Sequence, residues 1–152
     1  WYSEHPYIDA SIQSFIDPDM APPGKHVMSC YVMYTPHELK DSTWDAQREN
    51  MADRVQATIQ RFFPNFNDLV LQREVVSPDI IEAKTGLSEG NIYAGEFFPH
   101  QMYFFRPAPG YSDYRTPIRG YYQCGSGTHP GGCVIGAPGR FASQQVLADT
   151  KR

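Results

Sequence analysis

The stretch Gly120-Tyr121-Tyr122-Gln123-Cys124-Gly125-Ser126-Gly127-Thr128-His129-Pro130-Gly131-Gly132-Cys133-Val134-Ile135-Gly136-Ala137-Pro138-Gly139-Arg140 carries the most information in the chain. It reads as a short apolar strand, a glycine-rich loop and a helix over residues 134–149. Gly125, Gly127, Gly131 and Gly132 remove side chains, so that backbone N–H groups can face a ligand, and the start of the following helix adds partial positive charge. The order describes an anion or nucleotide cradle, with a tight structural turn as an equal alternative. Gly136, Ala137 and Gly139 are small enough for the helix to pack closely on a neighbour, or for a ligand ring to approach the backbone. The loop is not a dinucleotide fingerprint, because G-x-G-x-x-G needs Gly where Pro130 stands and no acidic residue follows at the end of a second strand. It is not a P-loop either, since no Gly-Lys-Ser/Thr occurs.

Upstream, residues 7–16 mix β-formers with imperfect alternation and stop at Asp17-Pro18, which predicts a half-buried strand. Pro22-Pro23-Gly24 supplies a turn, and residues 25–34 form a second, more continuously apolar strand, so the two predict an antiparallel pair. Over residues 44–63 the apolar Met51, Val55, Ile59 and Phe62 recur at helical spacing, with Ser42 or Thr43 as cap and Pro64 just beyond the end. Residues 70–77 read as another strand. Ser77-Pro78 then opens a short helix over residues 79–85, stopped by Gly86. Residues 87–113 are rich in Gly, Pro and aromatics without a clean period, and predict loops with a short helix near residues 99–105.

With 152 residues, 41% hydrophobic and 20% charged, the chain has the composition of a folded domain rather than a disordered or fibrous segment. Net charge is -4 with scattered Lys and Arg, so no basic stripe offers the counterion-release energy that nucleic-acid binding depends on. Apolar runs fall far short of the roughly 20 residues that cross a bilayer. Three cysteines, Cys30, Cys124 and Cys133, form no disulfide framework and fit a reducing compartment. Trp1-Tyr2-Ser3-Glu4 reads as an interior piece of something longer.

The longer stretch from Tyr114 through Arg140, beginning Tyr114-Arg115-Thr116-Pro117-Ile118-Arg119, resembles the C-terminal flavin signature of the carotenoid oxidoreductase and phytoene desaturase-like family of FAD-dependent oxidoreductases. Ala21-Pro22-Pro23-Gly24-Lys25-His26-Val27-Met28-Ser29 and Gly90-Asn91-Ile92-Tyr93-Ala94-Gly95-Glu96 resemble further segments of those proteins in the same order. The resemblance implies FAD as cofactor. It places Gly125 and Ser126 toward the phosphate and ribityl region, and Gly132, Cys133 and Val134 by the isoalloxazine ring, with the Val134 N–H at the helix start. Cys133 stands where the family commonly has a third Gly, and Phe141 where a small polar residue is usual.

The expected fold class is α+β. Residues 1–112 would form part of a substrate-domain sheet with flanking helices, and residues 113–152 the C-terminal strand and helix of a glutathione-reductase-like FAD domain. The implied activity is dehydrogenation or redox isomerisation of an apolar substrate by hydride transfer to flavin, with no catalytic side chain to name. The alternative is a non-catalytic subunit or interaction module. Expected partners are the N-terminal FAD-binding portion of the same enzyme or a complementary subunit. The expected location is intracellular, in cytoplasm or organellar matrix, with peripheral membrane contact allowed by the resemblance.

Other readings of single residues are weaker. Cys124, His129 and Cys133 lie within ten residues but lack a C-x-x-C pair, and a strand would turn Cys124 into the core, so no metal is expected. His129 has no carboxylate nearby to orient it as a base, and is expected to be a hydrogen-bonded loop residue. Cys133 is expected to be an inert, buried thiol rather than a thiolate. Asp9, Glu74, Glu82 and Glu96 are read as solvated charge. Phe97, Phe98, Tyr103, Phe104 and Phe105 would either line a channel for a long apolar substrate or form a core under a loop.

Overall fold

The apolar alternation near the N-terminus produces the expected antiparallel pair, β1 (Tyr7–Ser11) with β2 (Ser29–Met33), in the register Tyr7↔Met33 to Ser11↔Ser29. A computed structural model describes residues 3–95, 98–132 and 134–151. The chain packs as two units, one on each side of the Lys84–Thr85 junction. This packing division lies upstream of the functional division expected after residue 112, which concerns the parent domain that each segment would serve.

In the first unit the connection between the strands is held by Ser14, which is 5% exposed. The Val27 N–H donates to its hydroxyl at 3.2 Å, and that hydroxyl also lies 3.1 Å from His26 Nδ1. The strands are less covered than expected: only Ile8 in β1, and Val32 and Met33 in β2, are half-buried.

Helix α1 (Trp44–Gln60) begins where Thr43 caps it, its hydroxyl accepting from the Ala46 N–H at 3.4 Å. Trp44 and Met51 form the centre of the core, with Val32, Leu39 and Val55 packed against them. The Trp44 indole N–H is shared between the carbonyls of Pro36 and His37 at 3.1 and 3.0 Å, which ties the segment before the helix to its first turn. The helix ends at Gln60 rather than at residue 63. Pro64 disfavours helical backbone at Phe63, and the last turn tightens, with the Phe62 N–H donating to Ile59 O at 3.0 Å. Phe62, expected on the buried stripe, therefore falls outside the helix and is exposed.

A single turn, α2 (Phe66–Leu69), precedes residues 70–77, which form no strand among the described residues. Their side chains attach to α1 instead. Arg73 donates to Glu49 at 2.7 Å and to Gln56 at 2.9 Å and pairs with Asp53 at 2.7 Å. Arg48 reaches the Ser77 hydroxyl and the Asp79 carboxylate, each at 2.9 Å. A β-former pattern without an open sheet edge beside it has nothing to pair with, and ion pairs with the helix decide its path. Helix α3 (Pro78–Thr85) follows as predicted, with Pro in its first turn.

In the second unit, the helical elements among the described residues of 87–113 are 3-10 turns, at Ser88–Gly90, Pro99–Gln101 and Tyr103–Phe105. The expected strand ahead of the glycine loop is reduced to one bridge, Arg115↔Tyr122, closing a small hairpin. Helix α4 (Ala137–Thr150) ends the unit. It starts three residues later than expected because Gly136 adopts φ 66, a left-handed conformation that cannot continue into an α-helix. No helix among the described residues is long and apolar enough to cross a membrane.

The chain leaves 11326 Å² accessible. Two separate compact bodies of half its 17.3 kDa would together expose about 9,400 Å² on the scaling of folded monomers. Trp44 is the best-placed anchor in this thin core. Trp44→Ala is expected to cost about 3 kcal/mol or more. Trp44→Phe keeps most of the apolar area but removes the shared N–H, and should cost about 1–2 kcal/mol. Urea unfolding followed by circular dichroism checks both the order and the sizes.

Candidate functional site

The glycine loop hangs from the hairpin that precedes it. The Gln123 N–H donates to Tyr114 O at 2.9 Å and the Thr116 N–H to Tyr121 O at 3.3 Å, while Gly120 at φ 81 makes the reversal between them. The chain then turns at once: the Thr128 N–H and hydroxyl both donate to Gly125 O, at 3.1 and 2.8 Å. Thr128 is 1% exposed, so this turn is fixed from inside. Tyr114, also buried, donates its phenol to His129 O at 2.9 Å, and burial pushes that phenol's pKa up.

A second anchor comes from a side chain that the sequence reading passed over. Arg106 is 5% exposed. Its guanidinium donates to three main-chain carbonyls: Gln101 O at 2.5 Å, Tyr93 O at 2.5 Å and Ser126 O at 2.8 Å. One cation thereby joins three loop segments that have no sheet to hold them. The available signal was a lone Arg closing the aromatic run Tyr103-Phe104-Phe105, a position where charge needs buried acceptors.

The expected site residues take these places. Gly125, at φ 116, has open space where a side chain would stand. Ser126 is exposed and presents its carbonyl to Arg106. Gly132 lies against Ser126, whose Cβ would be 3.6 Å from a Cβ added at Gly132, so the loop brings together the two segments that sequence separates. Cys133, including the expectation that its thiol is buried and inert, lies outside the described residues. Val134 is fully exposed and precedes α4, so the expectation that its N–H belongs to the helix start is corrected by the left-handed Gly136.

Cys124 is exposed rather than turned into a core, and among the described residues no cluster of His, Cys, Asp or Glu is arranged to hold a metal. The His129 ring stacks on Phe104 with centroids 4.7 Å apart; its buried Nδ1 has no hydrogen-bond partner among the described residues, while its main-chain carbonyl accepts from the Tyr114 hydroxyl. Glu82 sits 2.9 Å from His37. Phe98, Tyr103, Phe104 and Phe105 are exposed and form no core, while Phe97 and Glu96 lie outside the described residues.

No family model matches the chain. Over 151 residues it is 45% identical to pyridine nucleotide-disulfide oxidoreductase domain-containing protein 2 of Rattus norvegicus, across 98% of this chain. It is 30% identical to a lycopene-forming phytoene desaturase of Paracoccus sp., over 88% of this chain. It is also 30% identical to a limonene dehydrogenase component of Castellaniella defragrans, again over 88% of this chain. The chain belongs to the phytoene desaturase-like oxidoreductases. It spans about a quarter of the length of these relatives, 26%, 26% and 25% respectively, as a C-terminal portion of such an oxidoreductase does.

In this family member α4 is fastened to the hairpin by charge. Arg115 donates to both carboxylate oxygens of Asp149, at 2.9 and 2.8 Å, and the Tyr122 hydroxyl adds a bond at 2.9 Å. The Arg115 guanidinium first, and the Tyr122 hydroxyl second, hold the Asp149 carboxyl well below the usual carboxylate range. The folded state therefore binds fewer protons here than the unfolded chain. The stabilisation is present above the unfolded carboxylate value of about 3.9 and is lost as pH falls toward the lower folded value. Asp149→Asn should lower the melting temperature at neutral pH and flatten its fall in acid, and melting curves from neutral to strongly acidic pH read both effects.

Proposed function

We propose that this chain is the C-terminal part of a flavin-dependent oxidoreductase and that its glycine-rich loop contributes backbone to an FAD site. The observation carrying this reading is the open loop itself. Gly125 is exposed, with φ 116 and nothing within 4 Å of an added Cβ, so main chain rather than side chain faces the space in front of it. Backbone N–H groups without side-chain cover suit the pyrophosphate of a dinucleotide. On this reading Gly125 and Ser126 approach the phosphate and ribityl region, and Gly132, Cys133 and Val134 the isoalloxazine ring.

When bound, the flavin supplies acceptance of a hydride from a substrate C–H bond. This chain's part is to orient and to exclude water. The exposed aromatics Phe98, Tyr103, Phe104 and Phe105 suit an apolar substrate, and two relatives are named for phytoene and limonene, both hydrocarbons. The large accessible area supports association with an N-terminal FAD-binding portion of the same enzyme or a complementary subunit. The same area is what favours the second reading, a non-catalytic module that completes a partner's site.

The test uses the full-length protein. Flavin absorption bands after purification are expected, and Gly125→Val should remove most of them. Gly24→Val, at φ 74 in the other unit and equally open, carries a left-handed backbone penalty of about 1–2 kcal/mol of its own and should leave the flavin content unchanged. Equal loss in both variants, or no flavin in the parent, overturns the reading.

A further inference from the structure

We propose that Arg106 is the positioning residue that sets the direction of the Ser126–Gly127 peptide, turning the Gly127 N–H toward an anionic ligand group. The inference deepens the flavin reading and rests on it for the ligand, which would be a phosphate of the cofactor. The switch itself follows from the turn alone.

Ser126 and Gly127 are the two central residues of the turn closed by the Thr128 N–H on Gly125 O at 3.1 Å. Neither has a positive φ, so the turn is type I-like. The alternative, type II, is reached by flipping the central peptide and requires positive φ at its second central residue. That residue is glycine, so the flipped turn is open to it at little steric cost. What opposes the flip is Arg106, nine-tenths buried and donating to Ser126 O at 2.8 Å. A flip would withdraw this carbonyl from a buried cation.

The peptide is trans, so its N–H points opposite to its carbonyl. With the carbonyl held by Arg106, the Gly127 N–H is directed away from the guanidinium, and no main-chain acceptor among the described residues takes it. A cation on the carbonyl also polarises the peptide and makes that N–H a stronger donor. Arg106 thus acts on a ligand through one peptide bond, without touching it. A merely structural clamp would have no reason to depend on the residue at position 127.

The experiment compares Arg106→Met, Gly127→Ala and the double variant in the full-length protein. An added Cβ at Gly127 would lie 4.0 Å from Gln123 Nε2, an ordinary contact, and disfavours the flipped turn. The first readout is the pair of 13C shifts of Ser126 Cα and Cβ, which report its ψ with or without cofactor. Arg106→Met should move them toward extended values, and adding Gly127→Ala should return them. The second is FAD affinity by equilibrium dialysis. Arg106→Met should weaken it about tenfold, the scale of one lost charge-assisted hydrogen bond, but much less in the Gly127→Ala background. Arg106→Lys serves if the Met variant does not fold, with the same pattern expected because one ammonium cannot reach all three carbonyls at once. Unmoved Ser126 shifts, or equal loss of affinity in both backgrounds, overturn the proposal. Shifts that move and return in a protein whose parent binds no FAD uphold the positioning role and refute the flavin reading instead.

Discussion

The second unit depends on one buried cation. Among the described residues of 87–136 there is no sheet to organise the chain, and its main-chain carbonyls need partners as much as those of any core segment. Arg106 supplies three from one planar guanidinium, tying Tyr93, Gln101 and Ser126 together. Hydrogen bonds from a charged donor contribute about 1.5–3 kcal/mol each, against a desolvation cost of several kcal/mol for the buried ion. Such an anchor is stable only while all its acceptors stay in place, so removing the cation or moving one carbonyl disturbs segments far apart in sequence.

The first unit is held differently. There an amphipathic helix buries Trp44 and Met51 against Val32 and Leu39, and charged side chains fix what comes after. Arg48 and Arg73 draw residues 70–77 along α1, a path that hydrophobic pattern alone would not choose. In both units arginine does what a larger sheet would do in a fuller domain. The thinness of the core and the many exposed large apolar side chains belong to the same economy of structure: few residues are covered from all sides, and the faces of β1 and β2 remain open.

In the glycine loop, main chain stands apart from the helix terminus that follows it. Because Gly136 is left-handed, α4 begins at Ala137 and its positive end is set back from Val134. The donors nearest the open space are those of the loop, whose direction is governed by the turn at Ser126-Gly127 and by the buried Thr128 and Tyr114. Gly132 lies against the Ser126 side chain, which brings the two ends of the loop together.

Much of this was legible in the residues. The paired N-terminal strands, α1 with its Thr cap, α3 opening on Pro78 and the glycine loop ahead of a C-terminal helix are all local: period, caps and turn residues act within a few positions, so sequence alone determines them. The resemblance carried by residues 114–140 likewise needed only order and identity, and the relatives agree with it. Tertiary structure decided the rest. Residues 70–77 have a strand's composition but no neighbouring edge. The segment around Tyr122 keeps a single bridge because its hairpin partner is short. Arg106, Thr128 and Tyr114 are ordinary polar residues in sequence, and become the frame of the glycine loop only because folding buries them beside main-chain carbonyls. Periodicity reports which face a residue is on; which distant carbonyl a buried donor will meet depends on the path of the whole loop.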